Sequence, residues 1–123
     1  TMDDKAKRVA MGRMIDAIRV MRSYHPHIES QTCEVFLEIA RADTRDDEKA
    51  RGIYMKDLAS SVGIAQSSAS RSIALLSKYL KHGTDGLEWV ESFEDPMNRR
   101  QKTLRLTDKG KQVRDEVAGA IGG

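Results

Sequence analysis

Between Lys56 and Lys102 the sequence collects side chains suited to reading a polyanion rather than to making or breaking bonds. On a helical wheel Ser67, Arg71, Ala74 and Lys78 share one face, with Gln66, Ser68 and Ser70 near its N-terminal end. That face is short-chained, polar and basic, and it carries no carboxylate. A helix that approaches phosphates and base edges has no room for acids there. Arg71 suits a bidentate contact to guanine, Gln66 a contact to adenine or phosphate, and Ser67, Ser68 and Ser70 short bonds in a major groove. Lys56, Lys78 and Lys102 suit phosphate neutralisation. Arg99 and Arg100, at the basic end of a turn-forming run, suit a narrow minor groove, where negative potential is concentrated.

The residues with reactive side chains offer less. Cys33 is the only cysteine, so an internal disulfide is impossible and a reducing, cytoplasmic setting fits. It lies early in an apolar-faced helix without a basic neighbour in sequence, which reads as a packed thiol rather than a redox sensor. His25 and His27 flank Pro26 with no carboxylate or cysteine cluster nearby, so a turn explains them better than a metal site does. No glycine-rich phosphate loop, nucleophile elbow or paired catalytic acid is visible. An enzyme is not expected, nor a metal or other cofactor.

Two helices joined by a tight turn must carry the polar face. Ala59 is small enough for a close helix crossing, Gly63 can take the positive φ of a short turn, and Ile64 follows as an inward plug. Ala69, Ile73, Leu76 and Leu80 recur as the buried stripe of the second helix. A plain helical hairpin shares this pattern; the segment that follows separates the two. Leu87 to Phe93 is β-prone, Lys102 to Thr107 alternates polar with apolar, and Glu94 to Arg100 is a turn ending in basic residues. Two strands joined by a basic loop after such a helix make a wing, with Met97 at its tip. Upstream, Lys5 to Arg22 reads as a helix with Val9, Met14, Ile15, Ile18 and Met21 on one face. Ser30 reads as the N-cap of a second helix reaching Ala42, with Val35, Phe36, Ile39 and Ala40 buried. Asp43 to Gly52 reads as a mobile charged loop, Ile53-Tyr54 as a third strand beside the wing, and Lys81 to Gly86 as a flexible corner.

Asp95-Pro-Met-Asn-Arg-Arg100, followed by Leu104-Arg-Leu-Thr-Asp-Lys-Gly110, resembles the wing and next helix start of the MarR family of bacterial regulators. The order of elements along most of the chain is similar as well. The resemblance implies a dimeric winged helix-turn-helix protein on a pseudo-palindromic operator, most often a repressor released by a small phenolic ligand or an oxidant. Three residues or regions depart from the family pattern. Asn98 stands where Asp is common, so an ion pair within the wing gives way to a neutral hydrogen bond. Ala65 stands where Ser, Thr or Asp commonly caps the recognition helix, forgoing about 1 kcal/mol. The sequence stops soon after Gly110, whereas the family usually continues with a long helix that builds the dimer platform.

The fold class expected is mainly α with a small antiparallel sheet (α+β), a winged helix-turn-helix. A single domain spans 1–123: N-terminal helix 5–22, helix-turn-helix 55–82, wing 87–107 and C-terminal helix 107–121. Apolar residues at 39% against 33% charged allow a modest core but no bilayer-spanning run, and the charged N-terminus is unlike a signal peptide. A net charge of +2 decides nothing, but its distribution does. Arg99 to Lys111 is almost purely basic, while acids gather at 46–48 and in the first wing strand at Glu88, Glu91, Glu94 and Asp95. The partners expected are double-stranded DNA, a second copy of the chain and a small-molecule effector, with no membrane. Helix-turn-helix units usually read DNA as a symmetric pair. Val9, Ile15 and Ile18 in the first helix and Val113, Val117 and Ile121 in the last are the expected dimer contacts. The rival reading is a winged-helix adaptor or inhibitor, for example phage-encoded, that docks on the transcription machinery; the acidic first wing strand favours it.

Overall fold

Asp3 opens the first helix: its carboxylate accepts from the Ala6 amide at 2.7 Å, and Asp4 follows in the first turn. The computed structural model describes residues 1–45, 51–81, 84–95 and 98–122, with only the backbone at 79–81 and 98–100. α1 runs Asp4–Tyr24, a little past both expected ends, and stops at His25 before Pro26. α2 is Ser30–Asp43. Its N-cap is Glu29 rather than Ser30, without a side-chain cap, and the expected Val35, Phe36, Ile39 and Ala40 are buried. Asp43, expected to open a mobile loop, closes this helix instead and is itself buried. The rest of that loop at 46–50, with its acids, lies outside the described residues.

β1 (Ile53–Tyr54) leads directly into α3 (Met55–Val62). Gly63 ends α3 at φ +79°, and the amides of Gly63 and Ile64 both donate to the Ala59 carbonyl, at 2.9 and 3.0 Å. Ile64 then packs against the core as the plug its position called for. α4 (Gln66–Leu76) starts at Ala65 with no side-chain cap and buries Ala69, Ser72, Ile73 and Leu76. It ends earlier than the apolar spacing indicates. The Ser77 amide and hydroxyl both turn back to the Ile73 carbonyl, at 2.9 and 2.7 Å, and the backbone leaves the helix extended. Leu80 therefore belongs not to the helix but to β2 (Tyr79–Lys81), which pairs with β3 (Thr84–Asp85) where a flexible corner was expected. Residues 82–83 between them are outside the described set.

The wing is β4 (Val90–Asp95) against β5 (Asn98–Leu106), and β1 adds to β5 to give the order β1-β5-β4. Ile53 faces Leu104 and Tyr54 faces Thr103, so the short third strand forms where the sequence placed it. The first wing strand begins at Val90 rather than Leu87 and runs two residues past Phe93, while β5 starts four residues before Lys102, so the strands take in most of the proposed loop; Pro96 and Met97, the expected tip, are outside the described residues.

α5 (Asp108–Gly122) is capped by Thr107, whose hydroxyl accepts from the Gly110 amide at 3.0 Å and donates to the Glu88 carbonyl. Gly110 has a packing reason: a Cβ there would lie 1.9 Å from the Trp89 carbonyl oxygen, so only glycine lets α5 settle on the wing base. Trp89 is fully buried, with the Tyr24 ring edge-on at 5.6 Å and the Phe36 ring at 4.9 Å. It is held by shape and ring contacts, since its Nε1 finds no hydrogen-bond partner among the described residues. Around it α1, α2, α3, α4, the sheet and α5 close one hydrophobic core.

Candidate nucleic-acid interface

α4 presents two chemically opposite sides. Inward, its apolar stripe is supplemented by Ser72, whose hydroxyl shares a hydrogen bond with Thr32 of α2 at 3.3 Å. This satisfies a polar pair that would otherwise be stranded in the core. Outward, Gln66, Ser67, Ser70 and Arg71 are exposed at successive i, i+3 and i+4 positions, while Ser68 is half-buried. Arg71 reaches Ser68 Oγ at 3.4 Å, a contact at the outer limit of a hydrogen bond that leaves most of its guanidinium donors for another partner. No residue from Gln66 to Leu76 is acidic. Ala65 offers no side-chain cap to the first amides of α4.

The expected phosphate contacts scatter more widely. Lys56 is exposed in the first turn of α3, next to exposed Asp57. Lys78 is exposed but lies past the end of α4, so it does not share the helix face with Arg71 as the wheel had it. Lys102 is exposed on β5 directly across from Glu94. Arg99 and Arg100 lie in the outer part of β5; their side chains are outside what is described. Arg105, one of the basic run after Arg99, is spent within the wing: it donates to Glu91 at 2.7 Å and stacks over Phe93 at 4.2 Å. That pairing also neutralises part of the acidic first strand.

Sequence reasoning missed one contact near this surface. The Tyr54 hydroxyl donates to Asp95 Oδ2, tying the residue before α3 to the outer end of β4. The Asp95 carboxylate, with smaller contributions from burial and Asp57, raises the Tyr54 pKa. Nothing in the spacing announces a bond across 41 residues.

The expected dimer residues divide. Val9, Ile15, Ile18 and Ile121 are 45%, 48%, 39% and 47% exposed, large values for apolar side chains. Val113 and Val117 are buried at 0% and 3%, so they fill the core of their own subunit and are unavailable to a partner. The cause is that α5 turns its one apolar stripe inward, leaving Ile121 at the open end. Nor do the α1 residues form a single seam, because Val9 and Ile18 are about two and a half turns apart and face opposite ways. Val9 lies with Met2, Ala10, Met14 and Ile121 in an apolar cleft of about 590 Å³, while Met11, Ile15 and Ile18 make a separate exposed stripe.

Cys33 is half-buried against the core, and burial raises its thiol pKa despite an opposing backbone hydrogen bond. Among the described residues no group of three or more His, Cys, Asp or Glu is placed to hold a metal. No helix there is long and apolar enough to cross a membrane. Tyr24 and Phe36 are engaged with Trp89, and the Tyr24 hydroxyl donates to Glu116 at 2.8 Å.

No protein-family model and no curated protein sequence matches the chain. Solved structures do match, and they include an S. aureus MepR–DNA complex with a TM-score of 0.68 at 12% identity, over 94% of this chain and 81% of that one. A MarR transcriptional regulator from Methanosarcina mazei gives a TM-score of 0.63 at 19% identity, over 94% and 70%. The PcaV regulator of Streptomyces coelicolor, in complex with its natural ligand, gives 0.56 at 19% identity over 77% of this chain. The match covers 56% of the PcaV chain, so the present sequence spans little more than half of that protein. The fold is therefore the MarR-type winged helix, in agreement with the resemblance carried by the wing residues, and these neighbours are regulators rather than enzymes.

Proposed function

We propose that the chain is a sequence-specific regulator of transcription that binds double-stranded DNA as a dimer and represses from a pseudo-palindromic operator. The observation that carries this reading is the exposed, acid-free side of α4, with Gln66, Ser67, Ser70 and Arg71 outermost, on a fold shared with a DNA-bound neighbour. In this reading Arg71 reads a base edge, Gln66 and the serines bond to bases or phosphates at the helix start, and Lys56, Lys78 and Lys102 neutralise backbone charge. The wing brings Arg99 and Arg100 to the minor groove.

A second copy of the chain is proposed to cover the exposed stripe of Ile15 and Ile18 on α1, and to reach Val9 and Ile121 in the cleft on the other side of that helix. Met11, at 60% exposure, extends the stripe, and Met14, at 55%, lines the cleft. A small-molecule effector belongs to the same proposal by likeness to the ligand-bound PcaV. Selection of bound duplexes from a random pool tests the whole reading. It should return two related half-sites about one helical turn apart, with affinity falling steeply between low and moderate salt. A pool that enriches no sequence, together with weak salt dependence, would overturn it in favour of a protein-docking adaptor. Sedimentation at micromolar concentration should show a dimer that Ile18→Glu dissociates; a wild-type monomer refutes the dimer.

A further inference from the structure

The two strands of the wing keep one register from Val90 opposite Leu106 to Glu94 opposite Lys102, and then break it. Asp95 faces Asn98, so Arg99, Arg100 and Gln101 are three extra residues on β5 with no counterpart on β4. The segment proposed for the minor groove is thus a bulge, held at its base by the regular ladder. β1 pairs only with Thr103 and Leu104, inward of the bulge. From that short strand the Tyr54 side chain reaches past its own backbone partner to Asp95, the β4 residue that borders the bulge. Tyr54 also immediately precedes Met55, the first residue of α3.

We propose that Tyr54 is a positioning residue for the wing: by donating to Asp95 it latches the outer hairpin to the frame of the helix-turn-helix, fixing where the Arg99–Arg100 backbone stands relative to Arg71. The purpose of the latch rests on the DNA-binding reading; its existence does not. Inner and outer parts of the hairpin are secured by different means. Arg105, paired with Glu91 and stacked on Phe93, stiffens the inner part, and the Tyr54–Asp95 bond secures the part next to the bulge. A hydrogen bond to a carboxylate is among the stronger ones available to a side chain. The Tyr54 phenol is protonated at neutral pH in any case, and the bond raises its pKa further.

Tyr54→Phe in the full chain removes the hydroxyl and keeps the ring. Without DNA, amide hydrogen exchange at 98–103 should quicken about tenfold while α4 is unchanged. Unchanged exchange overturns the latch. With a selected duplex, affinity should fall about three- to tenfold, and the same substitution should cost nothing once Arg99→Ala and Arg100→Ala are present. An equal loss in both backgrounds, or quicker exchange with unaltered affinity, overturns the positioning role. If the wild type binds no duplex, the DNA-binding reading fails, and the exchange measurement still decides whether the latch exists.

Discussion

Arg71→Ala separates a reading role from a structural one. Arg71 is exposed on α4, and its one described contact is with Ser68 Oγ at 3.4 Å, so removing it opens no cavity and breaks no strong bond. Alanine is at least as good a helix former as arginine, and the folding free energy should stay within about 0.5 kcal/mol. Binding is another matter. A bidentate guanidinium–guanine contact is worth about 1–3 kcal/mol of affinity and discrimination. A two-fold symmetric complex loses it at both half-sites, so the deficit doubles to about 2–6 kcal/mol, or roughly a 30-fold to 25,000-fold weaker dissociation constant. Fluorescence anisotropy with the best selected duplex, and with duplexes altered at one base pair per half-site, would measure both quantities. The variant should lose affinity for the best site and lose its preference at that base pair. Unchanged affinity and unchanged preference, in a protein whose urea midpoint is also unchanged, would refute the assignment of α4 as the reading helix.

Lys102→Ala should weaken every duplex alike and reduce the slope of log affinity against log salt by about 0.9 for each phosphate it no longer neutralises; altered base preference would contradict a phosphate role. Lys78→Ala should behave the same way. Gly110→Ala should destabilise the fold by at least about 1–3 kcal/mol in a urea titration, because the new Cβ would sit 1.9 Å from the Trp89 carbonyl oxygen. A wild-type midpoint would mean α5 can shift freely. Cys33, its thiol pKa raised by burial, should react slowly with a maleimide in the folded chain at neutral pH and rapidly in denaturant, and peroxide should leave duplex affinity unchanged. The sign of its pH effect follows from that direction. Because the folded thiol holds its proton longer than the unfolded one, its contribution to stability is full below the unfolded thiol's pKa. That contribution is lost as pH rises through the folded value, and Cys33→Ala should abolish the loss.

The helix-turn-helix and the wing were legible from local patterns because each is set by residues close together along the chain. Gly63 and Ile64 mark the turn, apolar spacing marks α4, and alternation marks β5. What spacing could not settle was which of several apolar stripes each helix keeps for itself. Val113 and Val117 look like any surface heptad positions, yet α5 has no other stripe with which to reach the core. The early end of α4 was hidden for a related reason. Leu80 continues the apolar period, but the carbonyls of Leu75, Leu76 and Ser77 accept from the amides of Leu87, Trp89 and Glu88 instead of from a further helical turn. Within the candidate site, Gln66, Ser67, Ser70 and Arg71 could be read in advance because one helix carries them all. The Tyr54–Asp95 and Glu91–Arg105 bonds could not, since both exist only once the wing has folded.

The same long-range bonds bear on how a signal at one end of the molecule would reach the other. α5 is tied to α2 by Arg114, which reaches buried Asp43 at 3.4 Å, and to α1 by the Tyr24–Glu116 bond at 2.8 Å. α2 in turn holds α4 through Thr32 and Ser72 at 3.3 Å, and holds α3 through Glu38, which accepts from Ser61 at 3.2 Å. Each link joins two helices directly, and buried members such as Asp43 and Ser72 are costly to leave unpaired. A displacement of α1 and α5 against a second subunit would therefore carry α4 with it more readily than it would break these bonds. In the proposed dimer, a changed contact between subunits would then alter the distance between the two Arg71 side chains without a separate hinge, against half-sites about 34 Å apart.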